Sequence, residues 1–100
     1  MNQEIKQKWV EALRSGKYKQ GKRVLRSGDK FCCLGVLCEV VGIDYNGNLP
    51  YLPSDVMKLA GLDCKNPIVS YSREEITLAS LNDDLNFSFH SIAEVIERNL

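Results

Sequence analysis

The chain has 100 residues, 44% hydrophobic and 26% charged, with thirteen basic and thirteen acidic side chains and a formal net charge of zero. Such proportions are ordinary for a globular protein, and this length is expected to form one domain, residues 1–100, that buries a core without disulfides or metals. No apolar run approaches the roughly 18 residues of a membrane span, and the absence of a basic excess counts against a duplex-DNA-binding domain.

Residues 3–15 have the period of an amphipathic helix, with Ile5, Trp9, Ala12 and Leu13 on one face. Ser15-Gly16 ends it, and Trp9 is expected to anchor the core. The N-terminal stretch MNQEIKQKWVEAL is polar and amphipathic, unlike a secretory signal, so the expected location is the cytosol.

Residues 17–30, KYKQGKRVLRSGDK, hold six Lys or Arg side chains and one acidic residue, Asp29. The segment from Lys22 to Arg26 reads as a short strand or extended loop between turns. Phe31–Val41, FCCLGVLCEVV, is almost wholly apolar and is expected to form the central core helix, with Gly42 as its cap. Gly35 within that helix implies close approach of another element, since glycine costs a helix about 1 kcal/mol relative to alanine.

In residues 43–53 the Asn46-Gly47 pair signals a turn, and the flanks Ile43–Tyr45 and Leu49–Leu52 suit a tight hairpin. Ser54 is expected to cap a short helix closed by Gly61. Residues 62–75 read as irregular apart from a candidate strand at Ile68–Tyr71. Thr77 is expected to cap a helix that turns Leu78 and Leu81 inward and is left in a turn through Asn82-Asp83-Asp84. Ser88 caps a last helix running to about Asn99, with Phe87 and Ile92 placed as a hydrophobic staple. The expected fold class is mostly α with small β elements (α+β), one compact domain around the apolar helix near residues 31–42.

Four cysteines at 32, 33, 38 and 64 and a single histidine, His90, raise the question of a metal. Their spacing lacks the paired ligands of a structural zinc site, and three cysteines fall on an apolar helix where they serve as small core side chains. A disulfide is disfavoured in a reducing cytosol. A nucleophilic Cys32 or Cys33 would sit at a helix start, where the dipole lowers a thiol pKa, but no base lies locally. Asp84, Asn86 and Ser88 would suit the first positions of a calcium loop, yet Phe89 stands where that loop needs glycine and Val95 where it needs glutamate. No glycine-rich nucleotide-binding motif occurs. Neither a catalytic residue, a metal nor a cofactor is assigned.

Charge is distributed unevenly. Residues 1–30 carry nine basic groups against three acidic ones, a net of +6, and residues 31–100 carry the balancing −6. In residues 17–30, cations alternate with Tyr18 and Gln20 on a chain bent by glycines. Arginine clamps phosphate bidentately, lysine supplies a point charge, and a phenol stacks on bases. The plain alternative is a solvated charged surface.

The ordered pattern WVEAL at 9–13, GKYKQGK at 16–22, FCCLGVLC at 31–38, LP at 52–53, AGL at 60–62 and LND at 81–83 resembles a family of small bacteriophage- and prophage-encoded proteins. The likeness spans nearly the whole chain. It departs from the family pattern at Arg23, where a glycine is expected, and at Asp84-Leu85-Asn86, which replaces a shorter, glycine-bearing turn. The resemblance implies a phage product acting in the cytosol of an infected bacterium, where such proteins often serve as anti-defence factors. One class of these, the sponges, binds nucleotide immune signals without chemistry.

The function expected on these grounds is non-enzymatic sequestration of a small phosphorylated ligand. The candidate residues are Lys17, Tyr18, Gln20, Lys22, Arg23 and Arg26, with Asn82 and Asp83 as acceptors for ribose hydroxyls if they fold nearby. Sponges often build sites across subunits, so a homo-oligomer is expected. The alternatives are an inhibitor or adaptor docking on a host protein through the same basic face, and nonspecific nucleic-acid binding.

Overall fold

The computed structural model describes residues 1–43 and 48–100. It opens with α1 (Gln3–Arg14), whose first turn is capped by Asn2 as its side chain accepts from the Ile5 amide at 2.9 Å. One face buries Trp9, Val10 and Leu13. Trp9 is fully buried, and its indole Nε1–H donates to the Cys33 carbonyl at 2.9 Å, so the largest core side chain also satisfies its single polar group. Gly16 leaves the helix at φ +77°.

Three two-residue strands follow: β1 (Lys19–Gln20), β2 (Arg26–Ser27) and β3 (Lys30–Phe31). β3 lies between the others, parallel to β1 and antiparallel to β2. The expected strand or loop at 22–26 is thus a loop for most of its length, with strands at either side. Phe31, expected in the helix, belongs to β3, because Gly28-Asp29 folds the chain back and pairs Phe31 with both Gln20 and Arg26.

The core helix α2 (Cys33–Val40) is buried from Cys33 through Cys38. The expected close approach occurs at Gly35, where an added Cβ would lie 1.8 Å from the Leu25 carbonyl oxygen. Leu25 is held there by donating to the Leu49 carbonyl at 2.8 Å and accepting from the Cys32 amide at 3.3 Å. The Asn46-Gly47 turn lies outside the described residues. Its expected second strand, Leu49–Leu52, is irregular, because Leu49 and Leu52 spend backbone groups on the distant Leu25 and Lys65.

α3 (Ser54–Ala60) starts one residue earlier than expected: Pro53, extended at φ −68° and ψ 158°, is the cap, and Ser54 is already helical. Gly61 closes the helix in the left-handed conformation at φ +70°. β4 (Ile68–Tyr71) is the expected strand, but it pairs with β5 (Glu74–Thr77), which the sequence conceals. β5 is short, begins with two exposed glutamates, and follows a turn in which Ser72 and Arg73 adopt φ +51° and +66° without glycine.

Thr77 caps α4 (Leu78–Asp83), accepting from the Ser80 amide at 3.2 Å, and Leu78 and Leu81 are fully buried. Asn82 and Asp83 remain in the helix, and the turn begins at Asp84. Ser88 caps α5 (Phe89–Asn99), with Phe87 packed against the core. α1 lies along α5 and against α2, and among the described residues α1 to α5 each contribute to one apolar cluster. The architecture is a small α+β fold, and among the described residues no helix is long and apolar enough to cross a membrane.

Gly35→Ala drives a methyl group into the Leu25 backbone, which cannot rotate away as a side chain tip would. Urea unfolding of this variant is expected to show a loss at or beyond the top of the ~1–3 kcal/mol range for overpacked cores. A loss below about 0.5 kcal/mol would mean that Leu25 is free to shift.

Candidate functional site

The basic segment lies against the end of α4, and one side chain organises that contact. Asn82 is fully buried, the one polar side chain so placed among the described residues. Its Oδ1 accepts from Gln20 Nε2 at 2.9 Å and from the Cys33 amide at 3.3 Å. Its Nδ2 donates to the Gly21 carbonyl at 2.8 Å and to Asp83 Oδ1 at 2.8 Å. Both donors and both acceptor sites of the amide are therefore filled. Gln20 is likewise engaged, its Nε2 also donating to the Phe87 carbonyl at 2.7 Å.

The structure brings Gln20, Asn82 and Asp83 together, yet it spends them on each other. Asn82, expected to accept ribose hydroxyls, is a structural link, because it is inaccessible and has no vacant hydrogen-bonding position. Gln20, expected to read a base or ribose edge, is half-buried and directs its amide inward for the same reason. Asp83 Oδ1 also accepts the Arg23 amide at 2.9 Å, so this carboxylate fixes the loop backbone.

That loop presents the remaining cations. Arg23 sits at φ +72°, the left-handed region that favours glycine, and the bond from its amide to Asp83 holds it there. Lys22 Nζ donates to Asn86 Oδ1, a neutral partner, so its charge is not cancelled. Asn86 is itself at φ +55°, in the turn after α4, and its contact with Lys22 is a site feature the sequence reading missed. Asparagine's tolerance of the left-handed region is the one signal that marks it.

On the three-stranded sheet, Phe31 receives the Tyr18 ring edge-on at 5.3 Å and the Arg26 guanidinium at 5.2 Å from its centroid. Tyr18 is thus half-buried against a protein ring, and Arg26 also donates from Nε to the Gly28 carbonyl at 2.9 Å. The neighbouring Lys19 and Lys30 are cross-strand partners, an unfavourable pairing of like charges. Asp29 relieves it by pairing with Lys19 at 3.0 Å, and Lys19 in turn holds the Asp29 carboxyl below its usual range. Lys17 is exposed after α1. Among the described residues, the side-chain cations of Lys17, Lys22, Arg23 and Lys30 form no ion pair.

The cysteines do not converge with a base. Burial pushes the Cys32 thiol up from 9.0 to about 11, lifts Cys38 to about 12 and raises Cys33 as well. The lowering expected from the start of α2 is overturned, since desolvation of the thiolate outweighs the helix dipole. His90 is exposed on α5, and among the described residues no three His, Cys, Asp or Glu side chains are grouped to hold a metal.

Comparison with known proteins adds one finding. The chain belongs to a family described as a domain of unknown function (DUF8296), which matches residues 1–100. No curated protein and no solved structure matches it.

Two outcomes follow from the buried polar groups. Asn82→Ala strands the Gly21 carbonyl and the Cys33 amide, and urea unfolding is expected to show a loss of about 3 kcal/mol; a near-neutral result would mean that water replaces the amide. The raised thiol pKa values make the native state favour protonated sulfur, so this contribution is fully present below pH ~9 and is lost as pH climbs through the folded values near 11 and 12. Urea midpoints should fall between about pH 8 and about pH 10.5, and the fall should shrink in Cys32→Ala.

Proposed function

We propose that this protein is a non-enzymatic binder of a small phosphorylated ligand, with Lys22 and Arg23 at the centre of the site and Lys17 and Arg26 at its margins. The observation that carries this reading is Arg23: a bulky cation held in a strained backbone conformation by Asp83, beside a lysine whose only described partner is neutral. Strain of this kind costs roughly 1–3 kcal/mol and persists where surrounding contacts impose it, commonly at ligand sites. A guanidinium offers two parallel N–H donors to one phosphate, and an adjacent ammonium adds charge without demanding geometry. Nothing in this arrangement pairs a nucleophile with a base, so the reading is sequestration rather than turnover.

The resemblance to phage-encoded proteins extends the proposal to its setting: an anti-defence sponge for a nucleotide immune signal, working as a homo-oligomer in the host cytosol. A second reading, docking on an acidic host protein, is favoured by Leu85, which is 49% exposed in the turn beside Asn86 and would give a protein partner an apolar contact.

Thermal unfolding with cyclic dinucleotides, cyclic trinucleotides, ADP-ribose derivatives, NAD and ATP tests the proposal. One ligand class at 100 times its Kd is expected to raise Tm by about 10–20 °C, given ~2.7 kcal/mol of linkage and the size of the chain. Arg23→Gly should relieve strain, raising the unliganded stability by up to about 1 kcal/mol, and at the same time weaken that ligand. No shift with any compound at low salt would sink the sponge reading and leave protein docking. Binding to all of them with a steep salt dependence would instead indicate nonspecific nucleic-acid affinity.

A further inference from the structure

A cavity of about 720 Å³ lies between the β4–β5 hairpin and the outer face of α5, a volume typical of small-molecule sites. Its walls are fixed. Asn99, near the end of α5, accepts from the Ser70 amide at 2.9 Å and donates to the Ser70 carbonyl at 3.2 Å. It thereby occupies the open edge of β4 as a neighbouring strand would. The Asn99 amide donates as well to the Val95 carbonyl at 2.8 Å, which holds it in place.

Tyr71 and Phe87, both in the lining, meet edge-to-face with centroids 4.9 Å apart, and Tyr71 remains 42% exposed. Glu94 and Arg98 line the α5 side, one turn apart, and neither joins an ion pair among the described residues. At one end the lining includes Asn86, the residue that accepts from Lys22. The basic loop and the cavity are therefore neighbours across a single side chain.

We propose that this cavity is a nucleoside subsite: the base stacks on Tyr71, Glu94 accepts the ribose hydroxyls, and the phosphates run past Asn86 to Lys22 and Arg23. The phosphate end rests on the reading of the basic loop above; the nucleoside end stands on the cavity itself. A carboxylate has lone pairs for two hydroxyls of a vicinal diol, and aromatic stacking tolerates any base. The two halves together require a ligand that is aromatic, hydroxylated and anionic, which is a nucleotide. Asn82, sealed inside, and Gln20, its amide turned inward, are replaced in their expected role of reading the nucleoside by Glu94 and Tyr71.

Amide NMR of the labelled full chain, titrated separately with four nucleosides, sodium tripolyphosphate and ATP, tests both ends independently. Nucleosides are expected to move the signals of Tyr71, Ser91 and Glu94 while leaving 19–27 unmoved, tripolyphosphate to do the reverse, and ATP to move both. Tyr71→Ala is expected to weaken ATP by roughly tenfold, within the range for one stacked base, without changing tripolyphosphate affinity. Glu94→Gln, an exposed substitution that spares the fold, should weaken nucleosides in the same selective way. Groove signals unmoved by every nucleoside, with tripolyphosphate still acting at 19–27, would overturn this inference and leave the phosphate reading standing. Groove signals that move while tripolyphosphate does nothing would uphold the nucleoside subsite and sink the phosphate reading.

Discussion

The amide of Asn82 joins two distant parts of the chain, the start of the basic loop at Gln20 and Gly21 and the first turn of α2 at Cys33, and also bonds its own neighbour Asp83. A buried amide with unfilled positions costs about 1–3 kcal/mol, so these contacts are specific as well as favourable. They set where the loop from Gly21 to Leu25 lies, and that position has little freedom elsewhere. Downstream, the Leu25 carbonyl rests on Gly35, where no larger residue fits. Trp9 then ties α1 to the same turn of α2 through the Cys33 carbonyl. The order of loop, core helix and first helix depends on this small set of backbone-directed bonds.

The cost of that arrangement appears as backbone strain. Arg23, Ser72, Arg73 and Asn86 all occupy the left-handed region without being glycine. All four lie in turns that border the basic loop or the cavity beside α5. Arg23 and Asn86 are further linked to the C-terminal side of α4, since Asp83 at its end accepts the Arg23 amide and Lys22 donates to Asn86 in the turn that follows. A fold optimised for stability alone would place glycine at such positions. Here the side chains are kept and the backbone absorbs the difference.

The charge asymmetry has two parts with different fates. Two cations of α1 engage α5, where Arg14 pairs with Glu97 and Lys6 donates to the Glu97 carbonyl at 3.0 Å, while Lys8 pairs with Glu4 on α1 itself. This part is structural and is consumed in helix packing. The cations of residues 17–30 are consumed less: Lys19 meets Asp29, Arg26 lies over Phe31, and Lys17, Lys22, Arg23 and Lys30 keep their charge. Net neutrality therefore coexists with a local positive field, which is the quantity an approaching anion senses.

What could be read from the chain itself were the features that repeat or that act within a few residues. The apolar faces of α1 and α5, the buried run of α2, the caps Thr77 and Ser88, the stop at Gly61 and the crowding at Gly35 were all legible, because helical periodicity and capping are local physics. The basic stretch was legible as composition, not as a surface. Only the tertiary structure showed that Asn82 is sealed and saturated, that Phe31 is a strand residue, and that Lys22 reaches Asn86 across 64 positions. Two-residue strands and side-chain amides leave no period in a sequence, and whether a polar group faces solvent or a partner is decided by segments far along the chain. Composition thus determined that a cationic segment exists, and long-range packing decided which of its side chains remain available.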